Sequence, residues 1–210
     1  MKFTYFHMGA IGMILIAVLV PIHFTIYFLG WMYLIPTGPF APYFVMLLVT
    51  AIVLYIGFIL AGIGFFGYYK TYGSIWGLVG FLMPVLFGWM LIIVEVDYFI
   101  RFCTFIIIPP LFPLLEELLY WLLKDTFLAL TPILWSLAIL RLASRTGNKR
   151  RTQIAGALLL AAGLAYLPQI ILDVYGTDLV SYLIVISIGT ALLCLAGLLN
   201  SVMFLRENVS

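Results

Sequence analysis

Charged residues are scarce in this 210-residue sequence. Lysine, arginine, aspartate and glutamate together make up 9% of the chain, whereas hydrophobic residues make up 66%. Soluble domains have about 25% charged residues, so this composition excludes a soluble globular protein and predicts an integral membrane protein in a lipid bilayer. The 10 lysines and arginines barely exceed the 8 acids, which gives no indication of a nucleic-acid partner.

Cysteine and histidine are nearly absent. Cys103 and Cys194 form no CxxC pair, and each lies in apolar sequence, where a thiol usually packs as a small hydrophobic group. His7 and His23 are the only histidines, and the 16 positions between them correspond to about 24 Å along a helix. They cannot ligate one metal ion or one haem within the chain. We interpret them as core or interfacial histidines, and whether a cofactor is bound with a partner chain is left open.

The motifs of common enzyme classes are also absent. The sequence has no G-x-S-x-G, no H-E-x-x-H, no P-loop and no glycine-rich dinucleotide fingerprint. No histidine outside the first apolar run could serve as the base for a serine or cysteine nucleophile. The sequence therefore favours a non-enzymatic protein, and it identifies no catalytic, cofactor-binding or metal-binding residue.

Long apolar runs are what the sequence does contain. A membrane-spanning helix needs about 20 mostly apolar residues. Six stretches have this length without a charge in their middle: 8–33, 43–68, 75–97, 127–146, 152–172 and 179–204. Most gaps between them are short and contain Gly, Pro, Asp or Ser, which are typical of turns. We predict a single all-α domain over residues 1–210, with six antiparallel transmembrane helices.

The basic residues predict the orientation of these helices. If the N-terminus is cytoplasmic, eight of the ten lysines and arginines fall on the cytoplasmic side, and only Arg101 and Lys124 lie outside. Seven of the eight acids then fall on the outer side or in the outer ends of helices. We therefore predict a multi-pass protein with cytoplasmic N- and C-termini, in a plasma membrane of the prokaryotic type.

The segment 102–124 between the third and fourth spans needs a separate interpretation. Pro109 and Pro110 would remove two backbone donors at mid-membrane if this segment crossed the bilayer. We therefore predict that residues 102–110 dip into the outer leaflet and return. In the alternative, residues 102–123 form a seventh span and the N-terminus lies outside, and the charge counts alone barely separate the two topologies.

Residues 111–124 have the pattern of an amphipathic helix. Leucines recur at intervals of three and four positions, while Glu116, Glu117 and Lys124 lie on the opposite face. Such a helix suits the membrane surface, with its apolar face towards the acyl chains. We predict a re-entrant or interfacial helix here, lying on the outer leaflet or packed across the mouth of the bundle.

Six polar residues are the candidate functional residues: Glu95, Asp97, Arg101, Glu116, Glu117 and Asp173. Glu95 is an ionisable group within a span, which by itself indicates a functional site. Asp97 and Arg101 are four positions apart, in the order that favours an ion pair along a helix. Glu95 and Asp97 are two positions apart and should point to different faces.

The plan of six spans resembles the substrate-binding components of energy-coupling-factor vitamin transporters in size and topology. No motif of that family can be matched to residues here, so the resemblance implies a fold and a class of function without any site residue. The sequence favours a non-catalytic membrane subunit that packs with partner membrane proteins, because its spans are apolar all round and show no cluster of buried charge.

The alternative is a small cation-linked transporter or channel with an outward-facing acidic site. In this hypothesis Glu95 and the other outer acids gather the cation. Pro84 and Pro168 kink the third and fifth spans, and the backbone carbonyls that they free would line the route. A lipid-modifying enzyme is less favoured, because the acids have no metal-ligand spacing.

Overall fold

The structure is a computed structural model that describes residues 4–29, 40–105, 113–143, 149–175 and 179–207. These residues form six helices: α1 (Tyr5–Leu29), α2 (Phe40–Tyr72), α3 (Ile75–Phe105), α4 (Pro113–Leu142), α5 (Lys149–Tyr175) and α6 (Leu179–Glu207). Each is long and apolar enough to cross a membrane. The predicted class, an all-α multi-pass membrane protein with six spans, is confirmed.

The fourth helix is longer than the sequence predicts. Residues 113–124 are not a separate helix but the first turns of α4, which continues without a break to Leu142. Pro113 fits the first turn because the amide hydrogen that it lacks would have no partner there. Asp125 and Thr126 have lower helix propensity than alanine, but neither residue terminates a helix by itself. The predicted re-entrant course includes residues 106–112, which lie outside the described residues, so it stays a prediction.

The helices form a closed ring in chain order. Each helix contacts the next, and α6 returns to contact α1. Neighbours are antiparallel: Gly9 of α1 lies against Gly64 of α2, whereas His23, further along α1, contacts Thr50, which comes earlier in α2. The other pairs of neighbouring helices for which several contacts are described have the same arrangement: a contact further along one helix involves an earlier residue of the next. The predicted antiparallel packing is therefore confirmed.

The bundle has two chemically different ends. At one end of the bundle α1, α3 and α5 begin and α2, α4 and α6 end. Six lysines and arginines are exposed there: Lys70, Arg141, Lys149, Arg150, Arg151 and Arg206. We call this the basic end, and we call the other end, which carries Glu95, Asp97 and Asp125, the acidic end. Glu95 and Lys124 both lie at the acidic end. Residues 106–112 lie outside the described residues, so the course of the chain between these two positions stays a prediction.

Close contact between α1 and α2 depends on glycine. A Cβ atom built on Gly9 would lie 2.5 Å from the Cα atom of Gly64, and one on Gly12 would lie 2.5 Å from the carbonyl oxygen of Gly57. Helices in lipid associate through such close backbone packing, since no hydrophobic force holds them together there. The pairing of α1 with α2 therefore requires residues without side chains.

The fourth helix is the most enclosed. In the most apolar stretch of α4, 61% of the residues are buried, against 28–39% in the corresponding stretches of the other five helices. This stretch of α4 is nevertheless the least hydrophobic of the six. Trp135 of α4 lies between Phe58 and Phe65 of α2, with ring centroids 5.6 and 5.0 Å away. The position of α4 therefore brings its polar side chains into the interior of the bundle.

A proline in α3 explains one contact of α4. Pro84 has no amide hydrogen to donate to the carbonyl of Gly80, four residues earlier. The indole N–H of Trp135 donates to that carbonyl instead, at 2.8 Å, and the bond is buried. The hydrogen bond that the proline removes from α3 is thus replaced by one between α3 and α4.

Candidate functional site

Polar side chains, most of them buried, meet at the acidic end, and every helix of the ring contributes at least one. We call this set the polar layer. Its members are His23 of α1, Thr50 and Tyr55 of α2, Glu95 of α3, Lys124 and Asp125 of α4, Gln169 of α5 and Tyr182 of α6. Ionisable groups within membrane spans are rare because they are costly to bury. A layer with three buried ionisable residues, Glu95, Lys124 and Asp125, is therefore the strongest candidate for a functional site.

A directed chain of hydrogen bonds runs from α4 through α1 to α2. Nε2 of His23 lies 3.4 Å from Nζ of Lys124, and Nδ1 of His23 lies 3.1 Å from the Thr50 hydroxyl oxygen. The single hydrogen of that hydroxyl is directed to the carbonyls of Met46 and Leu47, both 2.9 Å from Oγ1, so the hydroxyl oxygen accepts from Nδ1–H. His23 Nε2 is then an acceptor for the Lys124 ammonium group. The contacts thus assign a neutral imidazole with its proton on Nδ1.

The position of Lys124 differs from the prediction. The amphipathic pattern places Lys124 on a polar face at the membrane surface, but the structure leaves only 5% of it exposed. Its Nζ atom also lies 5.8 Å from the centre of the Tyr27 ring, within range of a cation–π contact. Because α4 is continuous and enclosed, the packing of the whole helix decides where Lys124 points, and this turns it inward.

Asp125 belongs to a second network, between α4, α5 and α6. Its side chain is completely buried, and its Oδ1 atom accepts a hydrogen bond of 2.8 Å from Nε2 of Gln169. The same amide nitrogen lies 3.3 Å from the hydroxyl oxygen of Tyr182. Oε1 of Gln169 is buried and has no hydrogen-bond partner among the described residues. This network therefore holds a carboxyl group beside an amide oxygen that lacks a donor.

Glu95 forms a third group, with Tyr55. The Tyr55 hydroxyl donates to Oε1 of Glu95 at 3.3 Å, and this contact is buried. Tyr55 also lies within the electrostatic influence of both Glu95 and Asp125. Asp125 acts in the same way on Tyr166 of α5. Glu95 and Asp125 therefore both lie near Tyr55, although they belong to different helices.

The six candidate residues of the sequence analysis have different positions. Glu95 is buried within the span, as expected for an ionisable group inside a membrane helix, whereas Asp97 is exposed. This confirms that the two acids point to different faces of α3. The other four residues lie within helices, but their side chains are not among those that the structure describes: Arg101, Glu116, Glu117 and Asp173. Their roles, including the Asp97–Arg101 ion pair, stay predictions.

Sequence reasoning did not select His23, Lys124, Asp125 or Gln169 as site residues. Asp125 lies two positions before the predicted fourth span, 127–146, and from the sequence we interpret His23 as a core or interfacial histidine. One signal could have found them, since all four are polar residues within six positions of the end of a candidate span, and antiparallel helices bring alternate span ends together. The hypothesis that the spans contain no cluster of buried charge is wrong.

The described side chains contain no candidate cluster of metal ligands rich in His, Cys, Asp or Glu. Among the residues with described side chains, no group of three or more His, Cys, Asp or Glu could hold a metal ion. No family model, no curated protein and no solved structure matches the chain. The resemblance to vitamin-transporter components therefore stays one of size and topology, and the function must be argued from the polar layer itself.

Proposed function

We propose that this protein is a cation-linked membrane transporter whose ion-binding site is the polar layer. The observation that carries this proposal is the burial of two carboxyl groups, those of Glu95 and Asp125, inside membrane-spanning helices. Such groups are costly in a membrane, and they commonly mark ion pathways and substrate sites. With Lys124 as the only cation described there, the layer has one more acid than base and favours a positively charged ligand.

The aromatic core between the polar layer and the basic end supports a carrier rather than an open channel. Phe58, Phe65, Trp135 and Phe204 lie between the layer and the basic end, and all four are completely buried. Phe65 stacks on Trp135 at 5.0 Å and contacts Phe204 edge to face at 5.5 Å. A cation that leaves the layer towards the basic end would have to displace these rings. Transport would therefore require a change of conformation.

The kink in α3 does not supply a ligand in this conformation. The sequence hypothesis uses carbonyls freed by Pro84 to line the ion route, but the Gly80 carbonyl accepts the Trp135 indole N–H at 2.8 Å. We therefore assign the binding role to side chains of the polar layer. The kink instead fixes α3 against α4.

We further propose that the acidic end faces outwards across a plasma membrane. Six exposed cations at the basic end support a cytoplasmic position for it, since lysine and arginine are retained on the cytoplasmic side. Both termini would then be cytoplasmic, because α1 begins and α6 ends at the basic end. In this orientation the polar layer meets cations that arrive from outside.

Flux through the purified full-length chain in proteoliposomes tests the proposed function. Gradients of protons, sodium or potassium are imposed in turn, and a trapped dye or a radioactive tracer reports entry. We expect flux of one of these cations, at least tenfold lower in Asp125→Asn and in Glu95→Gln. The matched control is Glu207→Gln, the same chemical change at the basic end, which should retain the wild-type rate. Absence of flux in wild-type protein for every cation tested would reject the proposal.

A second proposal, a membrane subunit of a larger complex, is supported by the outer face of α3. Leu86, Trp89 and Ile93 are each more than half exposed, on one side of this helix. Lipid can cover this face, but a partner membrane protein could also pack there through the large aromatic side chain. Purification from the native membrane in a mild detergent, with mass spectrometry of bound proteins, tests this proposal. A monomer without partners would contradict it.

A further inference from the structure

The Gln169 side chain has an unusual balance of hydrogen bonds. It is 1% exposed, and its amide nitrogen serves both Asp125 Oδ1 at 2.8 Å and the Tyr182 hydroxyl at 3.3 Å. Its amide oxygen has no donor among the described residues. A buried acceptor without a donor is unfavourable, and exceptions in a native structure mark strain, a functional site or a bound group. The missing element beside Asp125 is therefore a hydrogen-bond donor.

A proton on Asp125 would supply that donor. An ionised carboxylate can only accept hydrogen bonds, whereas a protonated one has an O–H group to donate. A primary amide that faces a carboxylic acid can donate from its nitrogen to one acid oxygen and accept the O–H of the other. The first of these two bonds is present, at 2.8 Å. Protonation of Oδ2 would supply the donor for the second, and neither Oδ2 nor the amide oxygen has another hydrogen-bond partner among the described residues.

We propose that Asp125 is the proton-binding group of the polar layer, and that it carries its proton in this conformation with Gln169 as its amide partner. This inference rests on the proposed function and names its coupling ion as the proton. Binding adds one proton to a carboxylate oxygen, and release returns it to water. No other bond is made or broken.

The charges around Asp125 agree with this assignment. Among the described residues, Tyr55 of α2 and Tyr166 and Gln169 of α5 interact directly with Asp125, and the other ionisable and polar groups of the surrounding layer are Glu95 of α3, Lys124 of α4, Tyr182 of α6 and His23 of α1. Counted over the described side chains of the layer alone, protonation of Asp125 leaves one negative charge, on Glu95, and one positive charge, on Lys124. With Asp125 ionised, the same described side chains have one more negative charge in a low-dielectric interior. A neutral layer is the cheaper one to bury.

Infrared spectroscopy of the reconstituted full-length protein tests this inference, because a protonated carboxyl group has a carbonyl stretch distinct from that of a carboxylate. We expect this band at neutral pH in the wild type and in Glu95→Gln, and we expect it to be lost in Asp125→Asn. Gln169→Leu should keep the band but move it to higher frequency, since the acid loses its partner. A wild type without the band, or Asp125→Asn with the band undiminished, would overturn the assignment.

The infrared and flux experiments can reject the proton-binding role of Asp125 and the transporter function independently of each other. The band without any flux would leave Asp125 as a proton-binding group and reject the transporter. Flux of sodium or potassium without the band would support the transporter and reject the proton as its coupling ion. Proton flux together with the band, both lost in Asp125→Asn, supports both proposals.

Discussion

Nζ of Lys124 lies 3.4 Å from Nε2 of His23, a residue 101 positions earlier in the chain. The helices that carry them, α4 and α1, are not neighbours in the ring. Their contact is possible because α4 has the most enclosed apolar stretch of the six helices. A lysine at the start of one span thus reaches a histidine near the end of another, and a membrane-buried ammonium group gains an acceptor.

Replacement of His23 should show whether its acceptor nitrogen stabilises the bundle. His23→Phe removes the acceptor that Lys124 uses and also the donor to Thr50, and loss of bonds to a buried charged group costs about 1.5–3 kcal/mol. His23→Gln retains one acceptor and one donor, so we expect a smaller loss. Thermal unfolding in detergent measures both variants. Equal midpoints for the two would contradict the hydrogen-bonded chain.

A double-mutant cycle should detect the bond between α3 and α4. Trp135→Phe leaves the Gly80 carbonyl buried without a donor, at a cost of about 1–3 kcal/mol in addition to the lost packing. Pro84→Ala restores an amide hydrogen four residues after that carbonyl. We therefore expect the double variant to be more stable than the sum of the single effects by about 1 kcal/mol. Strict additivity of the unfolding free energies would show that the two residues do not share this carbonyl.

Glycine at position 12 should be indispensable for the contact between α1 and α2. In Gly12→Ala the new Cβ atom would lie 2.5 Å from the Gly57 carbonyl oxygen and 2.7 Å from the Leu60 carbonyl carbon. Backbone atoms cannot move aside easily, so overpacking should cost about 1–3 kcal/mol.

The matched control for this prediction is Gly88→Ala. Its Cβ atom would meet the Ile59 side chain at 3.1 Å, which can adjust, and alanine is the better helix former by about 0.8–1.0 kcal/mol. We expect this variant to unfold at or above the wild-type temperature. If Gly12→Ala were equally stable, α1 and α2 would not pack as closely as described.

Cysteine labelling should establish the sidedness of the bundle. In a background without Cys103 and Cys194, single cysteines replace Asp97 at the acidic end and Arg150 at the basic end, both of which are exposed. An impermeant thiol reagent applied to intact cells should label position 97 and leave position 150 unlabelled until the membrane is opened. The reverse pattern would place the acidic end in the cytoplasm, and labelling of both from one side would contradict the six-span topology.

The same background tests the predicted interfacial segment. A cysteine at Glu117 should be labelled from the same side as position 97, because we predict that this part of the chain returns to the outer surface. A cysteine at Lys124 should resist the reagent, since this position is 5% exposed. Protection at position 117 with labelling at position 124 would contradict both the predicted return of the segment to the outer surface and the burial of Lys124.

The sequence by itself determined the number of helices, the approximate span bounds and the class of protein. These properties depend on local composition, because a bilayer requires about 20 apolar residues in a row, wherever their partners lie. Glu95 could be selected for the same reason, as an acid inside an apolar run. The difference in exposure between Glu95 and Asp97 also followed, since it needs only the geometry of one helix.

Only the tertiary structure decided which polar residues form the site. Asp125 and Gln169 are 44 positions apart, and His23 and Lys124 are 101 apart, so no local pattern relates them. The amphipathic pattern of residues 111–124 placed Lys124 at the membrane surface, because the pattern describes one segment and not the helix that continues from it. The direction of Lys124 and the burial of Asp125 are set by the packing of α4 inside the ring. That packing depends on contacts with α1, α2, α3 and α5, which a single run of sequence does not contain.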